Sequence, residues 1–327
     1  MKFFKKGSIL ISVLLLITSV GGCSEKEVPS SVSVDSPKTI NISYVKAPLN
    51  VPSIIEKNKE LFENEFLNDD IEINYPEITS GAKMTEAVAA GSLDFCNAIG
   101  ATSVILAAAN GVDIKIIGVY SRAPKAFSIM AKDPSIKSIK DLKGKKIVGP
   151  KGTILHQLLV GALVKEDLSL DDVEFINMGI ANGVSALLSD SADAVLVAGA
   201  ATDNAKENGA HIVTTGEGIL DATIVIGASG KFIDTYPDIA KRYLKVHNES
   251  LEFMKKNPDE TFELTSKETK LSLDQVKKMY SLYNFDPTIS ESDIKELGKT
   301  QEFLKENGML TKTIDIKSLI EDLNDNK

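Results

Sequence analysis

Hydrophobic and polar positions alternate along most of this chain in two rhythms, one of period two and one near 3.6. "INISYV", residues 40–45, reads as a strand, and "APLNVPSIIEKNKELF" turns into a helix with Pro52 in its first turn. "IEINYPEI" is a second strand, followed by "TSGAKMTEAVAAGSLDF", where Met84, Ala87 and Val88 share a helix face and Gly91 closes the helix in a left-handed conformation. "FCNAIGATSVILAAANG" repeats the scheme, with Gly111 as the closing residue, and "IKIIGVY" is another strand. Alternating strands and helices of this kind predict an α/β fold.

Two apolar strands, "AFSIMAKDP" and "ATIVIGASG", lie about a hundred residues apart and both lead into polar turns. Between them stands a self-contained α/β block. It holds "GKKIVGP" and a helix with Leu155, Leu158, Leu159, Ala162 and Leu163 on one stripe. "VEFINM", the helix around "VSALLSD", and the strands "ADAVLVAG" and "AHIVTT" complete it. Beyond residue 230 the pattern is helical, with Tyr243, Leu244, Leu251 and Met254 at helical spacing. The expected organisation is one lobe inserted into another. Lobe one comprises 39–125 and 223–327, lobe two 126–222, and two strands cross between them.

The amino-terminal region follows neither rhythm. "MKFFKK" is basic, "SILISVLLLITSV" is a short apolar run, and "SVGGC" places small residues before Cys23. This is the pattern of a secretory signal over 1–22, too short to span a bilayer of ~30 Å comfortably. "SVGGC" also resembles a bacterial lipobox, which implies lipidation of Cys23, with an ordinary signal cut as the alternative. Residues 23–38, rich in serine with two prolines, suit a flexible tether. The expected location is the extracytoplasmic face of the cell membrane, held there by lipid alone.

Charge and chemistry narrow the picture. Loss of Lys2, Lys5 and Lys6 with the signal takes the net charge from −9 to −12, which disfavours nucleic acid. Cys96 is then the one remaining protein thiol, so no intramolecular disulfide forms, and "LDFCNAI" suits a packed residue more than a reactive one. His156, His211 and His247 stand far apart, so no metal site and no cofactor are expected. His247 reads as a packed helix residue.

The series "EAVAAGSLDF", "DLKGKKIVGPKGTILHQLLVGAL", "LSLDDVEFINM" and "VSALLSDSADAVLV" resembles the solute-binding proteins of nitrate, taurine and aliphatic sulfonate importers. That family also includes binders of pyrimidine precursors of thiamine. The likeness runs from 40 to about 260 and is strongest over 138–198. It implies a two-lobed, periplasmic-binding-protein-like (type II) α/β fold with two crossover strands and C-terminal helices. It also implies a small anionic solute held between the lobes, and delivery to an ABC permease with its cytoplasmic ATPase by a monomeric receptor. Many relatives carry a tryptophan and a proline after the strand "ADAVLV"; this chain reads "AGAATDN" there and has no tryptophan. The resemblance implies a sulfonate or taurine-like solute first, with thiamine-type pyrimidines, nitrate and small carboxylates as the alternatives this departure keeps open. Pyrimidine-forming enzymes on this fold use a cysteine-rich iron motif that this chain lacks, so no catalysis is expected. A non-transport surface sensor or adhesin is the remaining alternative.

Open α/β sheets bind at the carboxyl ends of their strands, where helices begin and offer unpaired N–H groups to an anion. Four such turns here are rich in small residues: "TSGA", "GATS", "KGTI" and "GIAN". They nominate Ser80, Gly81, Thr102, Gly152, Thr153, Gly179 and Asn182, with helix capping as the plainer role for each hydroxyl. Asn50 follows the first strand, Arg122 stands where the chain is about to cross, and His156 occupies a first helical turn that favours the neutral ring. All ten are candidate ligand contacts.

Overall fold

The computed structural model describes residues 36–46, 49–78 and 80–323. The signal segment, Cys23, most of the tether and Thr79 lie outside the described residues. The chain runs β1 (Thr39–Asn41), α1 (Val51–Asn58), α2 (Leu61–Phe66), β2 (Glu72–Asn74), α3 (Gly81–Ala89), β3 (Phe95–Gly100), α4 (Ala101–Ala109) and β4 (Ile114–Arg122). It then runs β5 (Phe127–Ala131), β6 (Lys146–Gly149), α5 (Ile154–Val164), β7 (Glu174–Asn177), α6 (Ile180–Leu188), β8 (Ala194–Ala198), α7 (Ala200–Glu207) and β9 (His211–Thr215). The remainder is β10 (Thr223–Ser229), α8 (Gly230–Thr235), α9 (Pro237–Lys256), α10 (Pro258–Thr269), α11 (Leu273–Tyr280), α12 (Glu291–Glu306) and α13 (Ile316–Leu319).

Two lobes share one strand plan. In the first, β1 pairs in parallel with β2, and Ile42, just past β1, bridges Phe95 to set that pair beside β3-β10-β4. The second sheet has the order β7-β6-β8-β5-β9. Each sheet holds one strand antiparallel to its neighbours, β10 in the first and β5 in the second. These are the strands that follow residues 123–126 and 216–222, where the chain passes from one sheet to the other.

Burial follows the layering. β8, covered on both faces, is buried at every position and reads as an unbroken apolar run. α5 differs from the expected stripe: ten of its eleven residues are buried. The sheet covers one side of α5, and Ile219 and Phe303 of α12 crowd the other at Gly161. A helix apolar all round is the outcome when both sides are covered. In the first lobe Tyr243 of α9 stacks on Phe95 at 4.1 Å between ring centroids and on Phe62 at 4.8 Å. Aromatic stacks of this kind add to the area buried. The C-terminal region is not helical throughout, because Asn284 and Ile320 form bridges to Arg122 and Ile116 along β4. Among the described residues no helix is long and apolar enough to cross a membrane.

Candidate functional site

The carboxyl ends of β3 and β6 bring helix starts from the two lobes together. Gly81, first in α3, lies so close to α4 that a Cβ there would stand 2.5 Å from Ser103 Oγ. A Cβ at Gly100 would meet Ile154 of α5 at 2.9 Å, so a bare backbone is needed where the two lobes touch. Ser103 Oγ donates to the Gly152 carbonyl at 2.9 Å, and Thr102 Oγ1 donates to Gln157 Oε1. The first turns of α3, α4 and α5 thus converge, each with N–H groups that no preceding turn satisfies.

Each nominated side chain has a definite place. Asn50 is buried and donates to the Val45 carbonyl at 2.8 Å, fixing the turn after β1. Ser80 caps α3, its Oγ accepting from the Lys83 N–H at 3.4 Å. Thr153 precedes α5 but does not cap it; its hydroxyl donates to the Pro150 carbonyl at 2.8 Å. Gly152 adopts a left-handed φ of +72°. That conformation aims its N–H at His156 Nδ1, 3.3 Å away. Gly179 and Asn182, at the start of α6, are exposed. Their turn is tied in through Asn177 Oδ1, which accepts the Lys151 N–H at 2.9 Å.

Arg122, nominated as a ligand contact near the crossing, is held by protein partners. Its Nε and NH2 both reach Asp293 Oδ1 at 2.7 Å, and NH1 and NH2 donate to the carbonyls of Asp286 and Thr288. Four of the five guanidinium N–H donors are thus engaged by Asp293 and the segment leading into α12.

His156 is 2% exposed and stacked on Phe175 at 4.8 Å. Burial, helped by the Lys151 charge, pushes its pKa from 6.5 down to about 4. Nδ1 accepts a hydrogen bond, so the neutral ring carries its proton on Nε2, which is buried and meets no protein acceptor. Cys96 is fully buried and its thiol is pushed up by desolvation, which leaves it inert. His247 is buried against the Glu56 carboxylate at 2.8 Å, inside lobe one.

Sequence reasoning passed over Gln157 and Ser103. The signal for Gln157 was one amide inside the apolar stretch "ILHQLLVGALV". Beside it lies a cavity of about 170 Å³ lined by Thr102, Ile154, the crossing residues 219–223 and α12. Lys46, just past β1, pairs with Glu268 at 3.1 Å while Tyr44 donates to the same carboxylate.

Two lobes joined by two crossings, with helix starts facing one another at the carboxyl ends of both sheets, define a solute-binding fold of the periplasmic-binding-protein type. Residues 50–261 match the family described as NMT1/THI5 like, and the chain belongs to that family. A protein of Bacillus subtilis (strain 168), provisionally named aliphatic sulfonates-binding protein, is 30% identical over 97% of this chain and 95% of its own length. The fold is shared with the alkanesulfonate-binding protein SsuA from Xanthomonas axonopodis pv. citri bound to MOPS, at a TM-score of 0.80 and 21% identity, over 88% of this chain and 99% of that one. The periplasmic aliphatic sulphonate binding protein SsuA from Escherichia coli gives a TM-score of 0.74 at 22% identity, over 89% and 96% of the two chains.

Proposed function

We propose that this protein is the extracytoplasmic solute-binding component of an ABC importer, taking up a small anionic solute of the aliphatic sulfonate kind. The observation that carries the reading is the convergence of the α3, α4 and α5 starts from two separate sheets. Their first-turn N–H groups and partial positive charge suit an anion without a dedicated lysine. His156, in the first turn of α5, holds a neutral ring whose buried Nε2 has no protein partner. Ser80, Gly81, Thr102, Gly152 and Thr153 shape this wall, and Asn50 buttresses it. Gly179 and Asn182, at the start of α6 on the second sheet, complete the candidate set. In this reading residues 123–126 and 216–222 are the hinge between lobe one (39–125 and 223–327) and lobe two (126–222). Cys23 carries the lipid that keeps a monomeric receptor beside its permease. The protein binds its solute and does not transform it.

The test is a thermal-shift and calorimetry panel of ethanesulfonate, taurine, nitrate, acetate and a hydroxymethylpyrimidine. Ethanesulfonate or taurine is expected to bind and be recovered intact. At 100 times its dissociation constant a solute stabilises the fold by ~2.7 kcal/mol, readily seen in a melt. Binding of the pyrimidine alone would replace the sulfonate reading, and turnover of any member would overturn the transport reading.

A further inference from the structure

We infer that Gln157 is a positioning residue that latches the two lobes together through Thr102. Thr102 stands in the first turn of α4, which follows a strand of the first sheet. Gln157 stands on α5, which follows a strand of the second. Both side chains are over nine-tenths buried, at 2% and 7% exposure, and the Thr102 hydroxyl donates to the Gln157 carbonyl oxygen. Ser103 Oγ bonds the Gly152 carbonyl beside them, and Ile154 packs on Gly100. These contacts join the lobes directly, independently of the two crossing segments. The latch rests on the two-lobed fold; its effect on the solute wall rests on the proposed function.

The physical asymmetry of such a pair makes it a latch and not mere packing. While the lobes touch, Thr102 and Gln157 satisfy each other; when the lobes part, water satisfies both. Removing one partner therefore penalises only the arrangement in which the other stays buried. A buried polar group left unpaired shifts such an equilibrium by roughly 5- to 150-fold. Gln157 acts on the solute wall through Thr102, by holding the N–H groups of α4 opposite those of α5 before any solute arrives. Pre-set alignment of this kind lowers the ordering cost of binding.

The experiment uses the full chain without added solute, in small-angle scattering and hydrogen exchange. Wild type and Thr102→Ser, which keeps the hydroxyl, are expected to be equally compact. Thr102→Val and Gln157→Met are expected to show a larger radius of gyration and faster exchange in the first turns of α4 and α5, with β8 and β10 still protected. The double variant should open less than either single one, because no polar partner is left buried and unpaired. Should Thr102→Val fold poorly, Gln157→Met alone makes the test, since it removes the acceptor at similar volume. Identical scattering from all chains would overturn the latch. So would opening in Thr102→Ser as large as in Thr102→Val, or opening in the double variant as large as in either single one. None of these outcomes depends on which solute binds, so a failed sulfonate panel leaves the latch standing or falling by itself.

Discussion

Arg122 at the end of β4 and Asp293 in the first turn of α12 are joined by two guanidinium contacts of 2.7 Å, across 171 positions of sequence. The pair is mostly buried, with side-chain exposures of 21% and 9%. Burial alone would raise the Asp293 carboxyl; hydrogen bonds from Ser290 and the Arg122 charge outweigh it and hold the group below the usual range. Arg122 also donates to two carbonyls of the segment before α12, so it clasps the C-terminal region to the strand that leads into the crossing.

Arg122→Met is accordingly expected to cost about 1–3 kcal/mol, because the Asp293 carboxylate then keeps only its Ser290 partners. Chemical denaturation measures this. A residue that gripped solute would instead cost affinity, and calorimetry should show less than about a two-fold change in solute affinity, below 0.5 kcal/mol. The Asp293 pKa is depressed, so its stabilisation is present above the ordinary carboxylate pKa and is lost as pH falls through the folded value. Wild type should lose this increment below about pH 4, while Arg122→Met, lacking the partner, should lose less of it there.

His156 should give a separate pH signature. Its folded pKa, near 4, lies below the unfolded 6.5, so the unfolded chain takes up a proton that the folded one refuses. Stability is then full above about pH 6.5 and declines by about 3 kcal/mol as pH falls toward 4. His156→Gln should flatten the dependence in that window. An NMR titration placing the His156 ring at an ordinary pKa would contradict the burial account.

The solute wall makes its own forecast about hydroxyls and amides. Thr153 and Thr102 spend their protons on Pro150 and Gln157, and Ser80 Oγ accepts from Lys83. Thr153→Val should therefore cost less affinity than loss of one first-turn N–H, with Ser80→Ala, whose hydroxyl accepts and keeps its proton, between the two. Ala101→Pro removes such an N–H at the helical position where proline is tolerated. A hydrogen bond to a charged group is worth about 1.5–3 kcal/mol, so Ala101→Pro should weaken ethanesulfonate binding roughly 10- to 150-fold. Calorimetry of the three variants ranks them, and hydroxyl losses exceeding the amide loss would move the anion off the helix starts.

How much of this was legible beforehand differs by scale. Strand runs such as "IKIIGVY" and "ADAVLVAG" carried their own assignment, because burial on both faces leaves an uninterrupted apolar signature. The four turns were legible as helix starts for the same local reason. The partners of their hydroxyls were not: Thr102 meets Gln157 and Ser103 meets Gly152 only because the helix starts of two separate sheets are brought together. Arg122 looked available because Asp293 lies far downstream, and no local pattern reports a long-range ion pair. The α5 stripe was underread since the cover from α12 is likewise remote. Thr153 is the local failure: a turn bond to Pro150 competes with capping, and composition cannot separate the two.

Gly81 offers the most direct test that the helix starts must touch. A Cβ at this position would fall 2.5 Å from Ser103 Oγ and 2.8 Å from Ser103 Cβ, so Gly81→Ala forces α3 away from α4 or Ser103 out of its place. Overpacking of a tight contact typically costs about 1–3 kcal/mol, and that loss should appear in denaturation. Displacing Ser103 also breaks its bond to Gly152, so solute affinity should fall together with stability. The compensating change is Ser103→Gly, which removes both colliding atoms. Gly81→Ala with Ser103→Gly should recover most of the lost stability, less about 1 kcal/mol for a glycine inside α4. Affinity should recover only in part, since the bond to Gly152 stays absent. If Gly81→Ala alone left stability and affinity at the wild-type level, α3 and α4 would not be in contact at their starts.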